Sequence, residues 1–422
     1  MPIAICGVGT VGSAVINLLN ELAPTLASKY NLSLPIVQIG ARRARDNWPF
    51  DLGQATIEQD IFKLAEDPSN QIVIELIGGV DDAYELTMRA FRANKTVITA
   101  NKALIAERGN ELFNEAKSRN LSYLYEASVA GGIPIVKVIQ QGLAANKITR
   151  IAGIINGTCN YVLTEMAEKG NSYSDALKQA QKLGYAEADP TFDVGGIDAA
   201  HKLAILASLA FGCPLAYENI YTEGIDKLDV QDINAANELG FFIKHLAIAE
   251  IDKEDIFLRV HPTLVHKNEA IGSVNGVING VMLDSNPLGR TFYSGAGAGG
   301  AATASAVVAD LLDVALERSG SNSYGNQDSS HKFMSIEDVS SEFYLRVDVA
   351  NQAGVLAKIT EILSQLNISI EGITQKESHD ENMLVPVFII THQTKEKDIN
   401  HAIEQIGKLP QVHNEITKLR IL

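Results

Sequence analysis

The sequence predicts an α/β protein with three domains: a doubly wound parallel-sheet domain over residues 1–133, an α+β domain over 134–299 and a ferredoxin-like βαββαβ unit over 340–422. Three observations predict this order. Short β-rich apolar runs alternate with helical patterns up to residue 125, which is typical of a parallel sheet covered by helices. Longer helical patterns follow residue 134, and strand and helix periods alternate again after a polar segment at 319–330. A chain of 422 residues also exceeds what one hydrophobic core usually serves.

The composition excludes several classes of partner. Lys and Arg number 35 against 51 Asp and Glu, so the net charge is −16 and we expect no basic surface for nucleic acid or anionic lipid. The three cysteines are far apart and form no CxxC motif, which argues against disulfides and thiolate zinc sites. The sequence shows no secretory leader pattern and no run of the ~20 apolar residues that a membrane span needs. We therefore expect a cytoplasmic protein with no nucleic-acid or membrane partner.

A glycine-rich turn connects the first predicted strand to the first helix. The apolar run Pro2–Cys6 leads into the sequence GVGTVG at 7–12, and a helical pattern follows. Glycines at the first, third and sixth positions allow a tight turn, close approach of a pyrophosphate and close packing of helix on strand. A purely structural turn is the alternative, but the flanking strand and helix favour dinucleotide binding. The candidate cofactor-binding residues of this turn are Gly7, Gly9, Thr10, Val11 and Gly12.

Two arginines, Arg42 and Arg43, follow the second predicted strand, Leu34–Ile39. A nucleotide-binding fold that prefers NAD normally has an acidic residue here for the ribose 2′-hydroxyl. Guanidinium groups instead suit the 2′-phosphate of NADP, because their planar donors bind phosphate in pairs. A solvated basic turn is the alternative, but the pattern favours NADP(H) over NAD(H).

Lys102 follows another predicted strand, Thr96–Thr99. Ligands bind at the carboxyl ends of parallel strands, so an ammonium group here would lie near the nicotinamide, where it could orient a substrate carboxylate or pass protons. Taken alone, a surface lysine would be the simpler interpretation. The remaining elements predicted for this domain are strands at 72–77 and 122–125 and helices at 83–93 and 107–119.

Charged residues accumulate between 185 and 202 in the middle domain. A strand is predicted over 148–155, and a later helix has Ser174 as its N-cap and Gly184 just past its end. Asp198 and Lys202 are four residues apart and thus share one face of a helix that continues as an apolar, buried pattern.

Two interpretations of this lysine remain open. An i,i+4 ion pair would contribute only about 0.2–0.5 kcal/mol. Alternatively, Asp198 holds Lys202 in a cleft, where the ammonium group donates to a carbonyl oxygen as it becomes an alkoxide. Glu187 and Asp193 would then receive a cationic amino group.

The segment 180–202, AQKLGYAEADPTFDVGGIDAAHK, resembles the signature of the homoserine dehydrogenase family. Four further motifs carry the resemblance along the chain: TANK at 99–102, YEASVAGGIP at 125–134, NGT at 156–158 and SGAGAGGAATAS at 294–305. The resemblance implies NAD(P)H-dependent, reversible reduction of L-aspartate 4-semialdehyde to L-homoserine, a step towards threonine, methionine and isoleucine.

The resemblance also assigns roles to individual residues. Lys202 and Lys102 become the catalytic pair, while the implied substrate-binding residues are Glu187, Asp193, Asp198, Gly157 and Thr158. A monovalent cation, sodium in most of the family, is implied at the Glu126 carboxylate and the backbone carbonyls of Val129, Gly131 and Ile133. Cys159 has no nearby histidine in sequence, and hydride transfer needs no covalent intermediate, so we expect it to be a bystander.

A second glycine-rich run, 295–300, precedes a helical pattern at 303–316. It is either a flexible linker or a close approach of backbone to cofactor, and the following apolar helix favours the second interpretation with Gly297 at the cofactor. We expect residues 300–318 to pack back on the first domain and 319–339 to form the linker.

The C-terminal unit resembles an ACT domain, an amino-acid-sensing module. The predicted order is a strand near 343–349, a helix at 355–366, strands at 368–375 and 383–391, a helix at 395–406 and a strand at 412–421. The resemblance implies that an amino-acid effector, threonine above all, binds near Asn351 and Gly354, at an interface between two such domains. It therefore also implies a homodimer or homotetramer.

Two competing functions differ in their observable consequences. A non-catalytic sensor that joins a nucleotide fold to an effector domain predicts no turnover. Another NADP-linked amino-acid or aldose dehydrogenase predicts NADPH consumption with other substrates. The combined set of lysines and carboxylates favours an enzyme, because a binding protein has no need to carry it.

Overall fold

The computed structural model describes residues 1–43, 47–317, 330–375 and 384–422. Its first domain is a six-stranded parallel sheet of order β3-β2-β1-β4-β5-β6. The strands are β1 Ile3–Cys6, β2 Ile36–Gly40, β3 Thr56–Glu58, β4 Ile72–Glu75, β5 Thr96–Thr99 and β6 Tyr123–Leu124. The helices are α1 Thr10–Tyr30, α2 Ile61–Glu66, α3 Asp81–Arg92 and α4 Lys102–Ser118. The predicted doubly wound architecture is confirmed.

The turn between β1 and α1 depends on glycine at two positions. Gly7 has φ +102°, and a Cβ there would lie 2.4 Å from the carbonyl oxygen of Leu76. A Cβ at Gly12 would lie 2.0 Å from the carbonyl oxygen of Gly7. Gly9, by contrast, faces open space. The turn is therefore closed on the protein side and open on the side that a ligand would approach.

The middle domain contains long antiparallel strands covered by helices. Its strands are β7 Lys147–Ile154, β8 Tyr221–Thr222, β9 Phe241–Asp252, β10 Asp255–His266, β11 Ile278–Asn286 and β12 Gly289–Ala296. Its helices are α5 Ile135–Lys137, α6 Gly157–Lys169, α7 Tyr173–Lys182, α8 Thr191–Val194, α9 Ile197–Phe211 and α10 Val230–Glu238. A further helix, α11 Gly300–Ala315, follows this domain.

The C-terminal unit has the predicted βαββαβ order. It contains two additional short strands, and a third short strand precedes it. The strands are β13 Lys332–Phe333, β14 Ser340–Ser341, β15 Phe343–Ala350, β16 Ile370–Gln375, β17 Leu384–Thr391, β18 Thr394–Lys395 and β19 Val412–Ile421. The helices are α12 Val355–Gln365 and α13 Glu396–Gly407.

The two C-terminal domains share one sheet, in the order β12-β11-β7-β9-β10-β19-β15-β17-β16. The junction is parallel pairing between the end of β10 and the end of β19, with Thr263 opposite Arg420 and Leu264 opposite Ile421. The same edge of β10 also pairs with β8 and β13. This continuity was not predicted, because it depends on pairing between strands that are far apart along the chain.

Buried ion pairs reinforce the junction. The Arg346 guanidinium on β15 donates to both oxygens of Asp232 on α10, at 2.7 and 3.2 Å, and the Tyr344 hydroxyl donates to the same carboxylate. Arg420 on β19 donates to Glu396 at 2.6 and 2.9 Å and to Glu223 at 3.0 Å. Removing one partner of such a pair leaves an uncompensated buried charge, so both sets fix the relative position of the two domains.

Helix α11 returns to the first domain and packs on α1. Its buried residues Val307 and Leu311 belong to the same apolar cluster as Ile5 and Val15. Residues 319–329 of the predicted linker, and residue 318 before it, lie outside the described residues. The remainder of the linker includes β13, which pairs with β10.

The differences from the sequence prediction include the following two. The N-cap of α7 is Ser172, whose side chain accepts from the Asp175 amide, and not Ser174. The strands β9 to β12 were not predicted, because β9 and β10 are buried along most of their length and lack the alternation that identifies a half-exposed strand. None of the described helices is long and apolar enough to cross a lipid bilayer.

Candidate active site

A cavity of about 500 Å³ lies where the first and middle domains meet. Lys102 borders it from the start of α4, and Asp198 and Lys202 border it from α9. The remaining lining comes from residues 156–158, 184–185, 193, 277, 279 and 296–299. Its volume is in the range of small-molecule sites.

Asp198 lies between the two predicted catalytic lysines. One carboxylate oxygen, Oδ2, is 2.7 Å from the Nζ of Lys202, and the other, Oδ1, is 3.0 Å from the Nζ of Lys102. Lys202 also donates to the Ile155 carbonyl at 2.7 Å. The helical spacing of four residues explains the first contact, whereas the second joins separate domains and could not be derived from spacing.

The charges around Asp198 determine the ionisation state of its carboxyl group. Burial alone would raise the pKa of this carboxyl, but Lys202, Lys102 and the Asn156 amide hold the pKa well below its usual range. Asp198 is therefore ionised at neutral pH and compensates the charge of the adjacent lysines.

Asn156 connects the two aspartates. Its side-chain amide donates to Asp193 at 2.8 Å and to Asp198 at 2.9 Å, while its oxygen caps α6 through the Cys159 amide. Burial raises the pKa of Asp193, and the hydrogen bond from Asn156 opposes that shift. Asp193 thus lies beside the lysine cluster as a partly desolvated acceptor.

Of the other predicted substrate-binding residues, Gly157 and Thr158 line the cavity and Glu187 does not. The Thr158 hydroxyl donates to the Tyr185 carbonyl at 2.6 Å. Glu187 is exposed on the turn between α7 and α8, and its backbone carbonyl accepts from Gln181. The structure therefore does not bring Glu187 into the lysine cluster.

Lys102 is held at the cavity by the end of β5. Asn101 caps α4 and donates to the Gly79 carbonyl at 2.6 Å, and Thr99 donates to the buried Glu75 carboxylate at 2.6 Å. Glu75 and Asn101 were missed by the sequence analysis, although a glutamate inside an apolar strand was a detectable signal.

Asn279 on β11 is another residue that the sequence analysis missed. Its side chain is 1% exposed and lines the cavity, yet neither its oxygen nor its nitrogen has a hydrogen-bond partner among the described residues. A Cβ at Gly297 would lie only 2.0 to 2.2 Å from this amide. Buried amides are nearly always paired, so Asn279 has both donor and acceptor capacity for a bound molecule.

The predicted cofactor-binding turn lies beside a second helix terminus. Thr10 and Val11 begin α1, and a Cβ at Gly300, the first residue of α11, would lie 3.2 Å from the Thr10 side chain. The glycine-rich run before α11 thus leads from the cavity, which Gly297 lines, to the start of α1. These backbone amides suit a pyrophosphate without side-chain obstruction.

The two arginines after β2 are exposed, as expected for residues that meet a ligand at the rim of a sheet. Arg42 forms an ion pair of 2.6 Å with Asp82 in the first turn of α3. This pair is exposed on both sides, so it contributes little to stability and can exchange for another anion.

The predicted cation site centres on a buried carboxylate. Glu126 is 2% exposed, and its two oxygens each accept a backbone amide at 2.9 Å, from Val136 and Lys137. Burial raises the pKa of Glu126 to about 7, with Asp310 as a second cause. Residues 129–133 form an irregular loop with positive φ at Ala130 and Gly131, so their carbonyls are not used in a helix or strand. This buried carboxylate with adjacent loop carbonyls is a donor set that suits a hard cation.

Cys159 and the effector turn complete the predicted positions. Cys159 is fully buried, and burial raises the pKa of its thiol well above the usual value, so it is not a ready nucleophile. Asn351 and Gly354 lie in the turn before α12, where Gly354 has φ +87°.

Three regions of the chain match known family models. Residues 134–312 match the family model for homoserine dehydrogenase, residues 7–126 that for the homoserine dehydrogenase NAD-binding domain, and residues 343–411 that for the ACT domain. A homoserine dehydrogenase of Pseudomonas aeruginosa is 47% identical over 99% of this chain and 98% of its own length.

Two solved structures are similar in fold. The crystal structure of a homoserine dehydrogenase from Thiobacillus denitrificans has a TM-score of 0.93 and 42% identity, and the match covers 100% of this chain and 98% of that one. A hyperthermophilic archaeal homoserine dehydrogenase in complex with NADPH has a TM-score of 0.64 and 28% identity over 76% of this chain and 98% of its own. The lysine–aspartate cluster, the nucleotide-binding sheet and these matches together show that the chain belongs to the homoserine dehydrogenase family, oxidoreductases that act on a CH–OH group with NAD(P).

Proposed function

We propose that the cavity between the first and middle domains catalyses the reversible NAD(P)H-dependent reduction of L-aspartate 4-semialdehyde to L-homoserine. The observation that carries the proposal is the pairing of Lys202 and Lys102 with the two oxygens of Asp198 at the cavity wall. A bound reduced nicotinamide supplies the hydride. The chain has to bind the substrate, stabilise negative charge on the carbonyl oxygen and provide the proton that this oxygen takes up.

Lys202 is the residue assigned to the carbonyl oxygen. Its ammonium group is held by Asp198 and the Ile155 carbonyl, so it is oriented before the substrate binds. A fixed donor in a water-poor site stabilises an oxyanion without reorganising during the reaction. Lys102 assists proton delivery and substrate placement from the opposite domain, and Asp198 positions both lysines.

The polar groups next to the lysines suit the amino-acid end of the substrate. Asp193 accepts from Asn156 and retains a second oxygen, which lies 3.4 Å from the Thr158 hydroxyl. A substrate ammonium group at Asp193 would compensate its partly buried charge. Asn279 supplies a donor and an acceptor on the opposite wall, for the carboxamide of the nicotinamide or for the substrate carboxylate.

NADP(H) is the proposed preferred cofactor. The 2′-phosphate would displace Asp82 from Arg42 and engage Arg43 as well, since exposed guanidinium groups exchange one anion for another at small cost. The archaeal homoserine dehydrogenase of similar fold was solved in complex with NADPH, which supports NADP(H) as a ligand of this domain.

We also propose a monovalent cation site at the Glu126 carboxylate and the backbone carbonyls of Val129, Gly131 and Ile133, with sodium as the proposed ion. The bound charge would compensate a carboxylate that burial otherwise destabilises. It would also rigidify the loop that leads from the first domain into α5.

The ACT domain is proposed to regulate the enzyme by binding threonine or a related end product at the Asn351–Gly354 turn. The same proposal places the enzyme in a homodimer or homotetramer in the cytoplasm, on the route to threonine, methionine and isoleucine.

An absorbance assay tests the reaction directly. NADPH consumption is followed with L-aspartate 4-semialdehyde, with and without L-threonine, and NADH replaces NADPH in a parallel series. Turnover with the semialdehyde supports the proposal. Cofactor binding without turnover would instead indicate a sensor, and turnover only with other aldehydes or amino acids would indicate another dehydrogenase.

A further inference from the structure

A second cavity, of about 670 Å³, lies between the middle domain and the ACT domain. Segment 221–231 forms the wall on the catalytic side, and α13 and residues 414–419 of β19 form the wall on the ACT side. It shares no lining residue with the active-site cavity, and neither Asn351 nor Gly354 borders it.

Buried ion pairs hold the walls of this inter-domain cavity in place. Arg346 at its base is fixed by Asp232 and Asp348, and it also donates to Thr417 at 2.9 Å. Lys418 is fixed by Glu396 and by Asn400, whose oxygen is 2.7 Å from its Nζ. The polar lining is therefore organised without a ligand, which lowers the cost of binding.

The lining chemistry selects a class of ligand. Three cationic side chains, Lys227, Arg346 and Lys418, face four carboxylates, Glu223, Asp229, Asp348 and Glu415. Mixed charges in comparable number suit a zwitterion better than a nucleotide or a metal ion. Ile403 and Leu419 add an apolar patch for a small side chain.

We propose that this inter-domain cavity binds a free α-amino acid as a second effector site, separate from the Asn351–Gly354 turn. This inference rests on the proposed regulation by the ACT domain, and it adds a second site at which an effector would regulate the enzyme.

The position of segment 222–225 explains how binding there would reach the active site. The Ile225 amide donates to the Val194 carbonyl at 3.0 Å, and a Cβ at Gly224 would lie 2.7 Å from the same oxygen. Val194 directly follows Asp193, so the wall of one cavity lies against the wall of the other.

A second contact reaches the helix that carries Lys202. The Glu223 carbonyl is 2.9 Å from the Nε2 of His245. A Cβ at Gly196, the N-cap of α9, would lie 2.9 Å from Thr222 and 3.1 Å from His245. These residues leave no room for a Cβ at Gly196, so a shift of 222–225 would press on the start of α9, which carries Asp198 and Lys202.

Two tryptophan substitutions from opposite walls test the proposal in the full-length protein. Gln231→Trp fills the cavity from an exposed position on α10, and Ile403→Trp fills it from α13. Asn234→Trp, on an exposed face of α10 outside the cavity, is the matched control. The variant Asn351→Ala tests whether an amino acid binds at the Asn351–Gly354 turn. Isothermal titration calorimetry measures binding of L-threonine, L-isoleucine and L-methionine, with D-threonine as the stereochemical control, and melting temperature reports folding.

We expect at least one of the L-amino acids to bind, and both filling variants to weaken that binding by about tenfold or more. The Asn234→Trp control should leave this binding unchanged, and Asn351→Ala should remove only the binding at the turn. Hydrogen exchange of the peptide containing Ile225 should slow on ligand addition in the wild type but not in Gln231→Trp.

Two results would overturn the inference in different ways. Binding that is lost in Asn351→Ala and unchanged in both filling variants would reject the cavity while retaining effector regulation at the turn. Absence of binding by every probe in the wild type, with turnover unaffected, would reject effector regulation and the cavity together.

Discussion

The carboxylate of Asp198 lies 2.7 Å from the ammonium group of Lys202, one helical turn further along α9, and both side chains are largely withdrawn from solvent. A surface pair at this spacing would contribute little. Here the same carboxylate also contacts Lys102 from the other domain, so it fixes the relative position of two cationic groups on the wall of the active-site cavity.

Replacing Lys202 by methionine removes the ammonium group while keeping most of the side-chain volume. We expect kcat/KM for the semialdehyde to fall by about 10²- to 10⁴-fold, because the donor to the developing alkoxide is lost. NADPH affinity, measured by fluorescence titration, should stay within about twofold. Lys178→Met, at an exposed lysine on α7, is the control. Near-normal turnover of Lys202→Met would remove Lys202 from the mechanism.

Asp198→Asn should destabilise the protein in a pH-dependent way. The pKa of Asp198 is lowered in the folded state, so its ionisation contributes stability at pH values above the ordinary aspartate pKa of about 3.9, and that contribution is lost as the pH falls below it. At pH 7 we expect a loss of about 3–5 kcal/mol, since two lysines lose their counter-ion. Urea unfolding between pH 7 and pH 2 should show a difference from the wild type that is constant above about pH 4 and shrinks below it. A difference that stays constant down to the lowest pH would contradict the lowered pKa.

Asn279→Ala separates a ligand-binding role from a structural one. Because this buried amide has no partner among the described residues, its removal should leave the melting temperature unchanged or higher. The KM for NADPH or for the semialdehyde should rise by about tenfold. Asn160→Ala is the matched comparison, because the Asn160 amide donates to the carbonyls of three residues, Val274, Gly276 and Ile278, and its loss should lower the melting temperature. A lower melting temperature with unchanged KM in Asn279→Ala would argue against the proposed role.

The cofactor preference depends on the charges around Arg42. Alanine at both Arg42 and Arg43 should raise the Kd of NADPH about tenfold or more and leave that of NADH nearly unchanged. Asp82→Asn should have the opposite effect on NADPH, because it releases Arg42 from its ion pair. Arg92→Ala on the same helix as Asp82 is the control. An equal loss for both cofactors would show that the arginines do not read the 2′-phosphate.

Sodium binding is tested by thermal unfolding at constant ionic strength. Exchanging choline chloride for sodium chloride should raise the melting temperature of the wild type. At a sodium concentration of ten times the Kd, the free energy of unfolding should increase by about 1.4 kcal/mol. Glu126→Gln should lose this response, and Glu111→Gln, at an exposed glutamate, should keep it. An equal response in all three proteins would reject the site.

The local elements of the first domain could be predicted from the sequence with good accuracy. β5 lies at Thr96–Thr99 as predicted, and the glycine turn at 7–12 connects β1 to α1. These elements are determined by neighbours in sequence, because apolar runs, glycines and caps act over a few residues.

Features that depend on distant residues could not be predicted in the same way. The contact between Lys102 and Asp198 joins residues almost a hundred positions apart, and the pairing of β10 with β19 joins residues more than 150 apart. The exposure of Glu187 also depends on how the turn after α7 lies on the fold. Asn279 gave no signal at all, because its importance comes from the absence of a partner in the folded chain.

The pairing of β19 with β10 has a consequence for how the enzyme is made. β19 completes an edge of β10, a strand that is synthesised more than 150 residues earlier. A nascent chain therefore leaves Asp232 without its native partners until β15 has left the ribosome, and it leaves this edge of β10 incomplete until β19 has followed. Truncations that remove β19 should thus compromise the catalytic half of the molecule as well as its sensor.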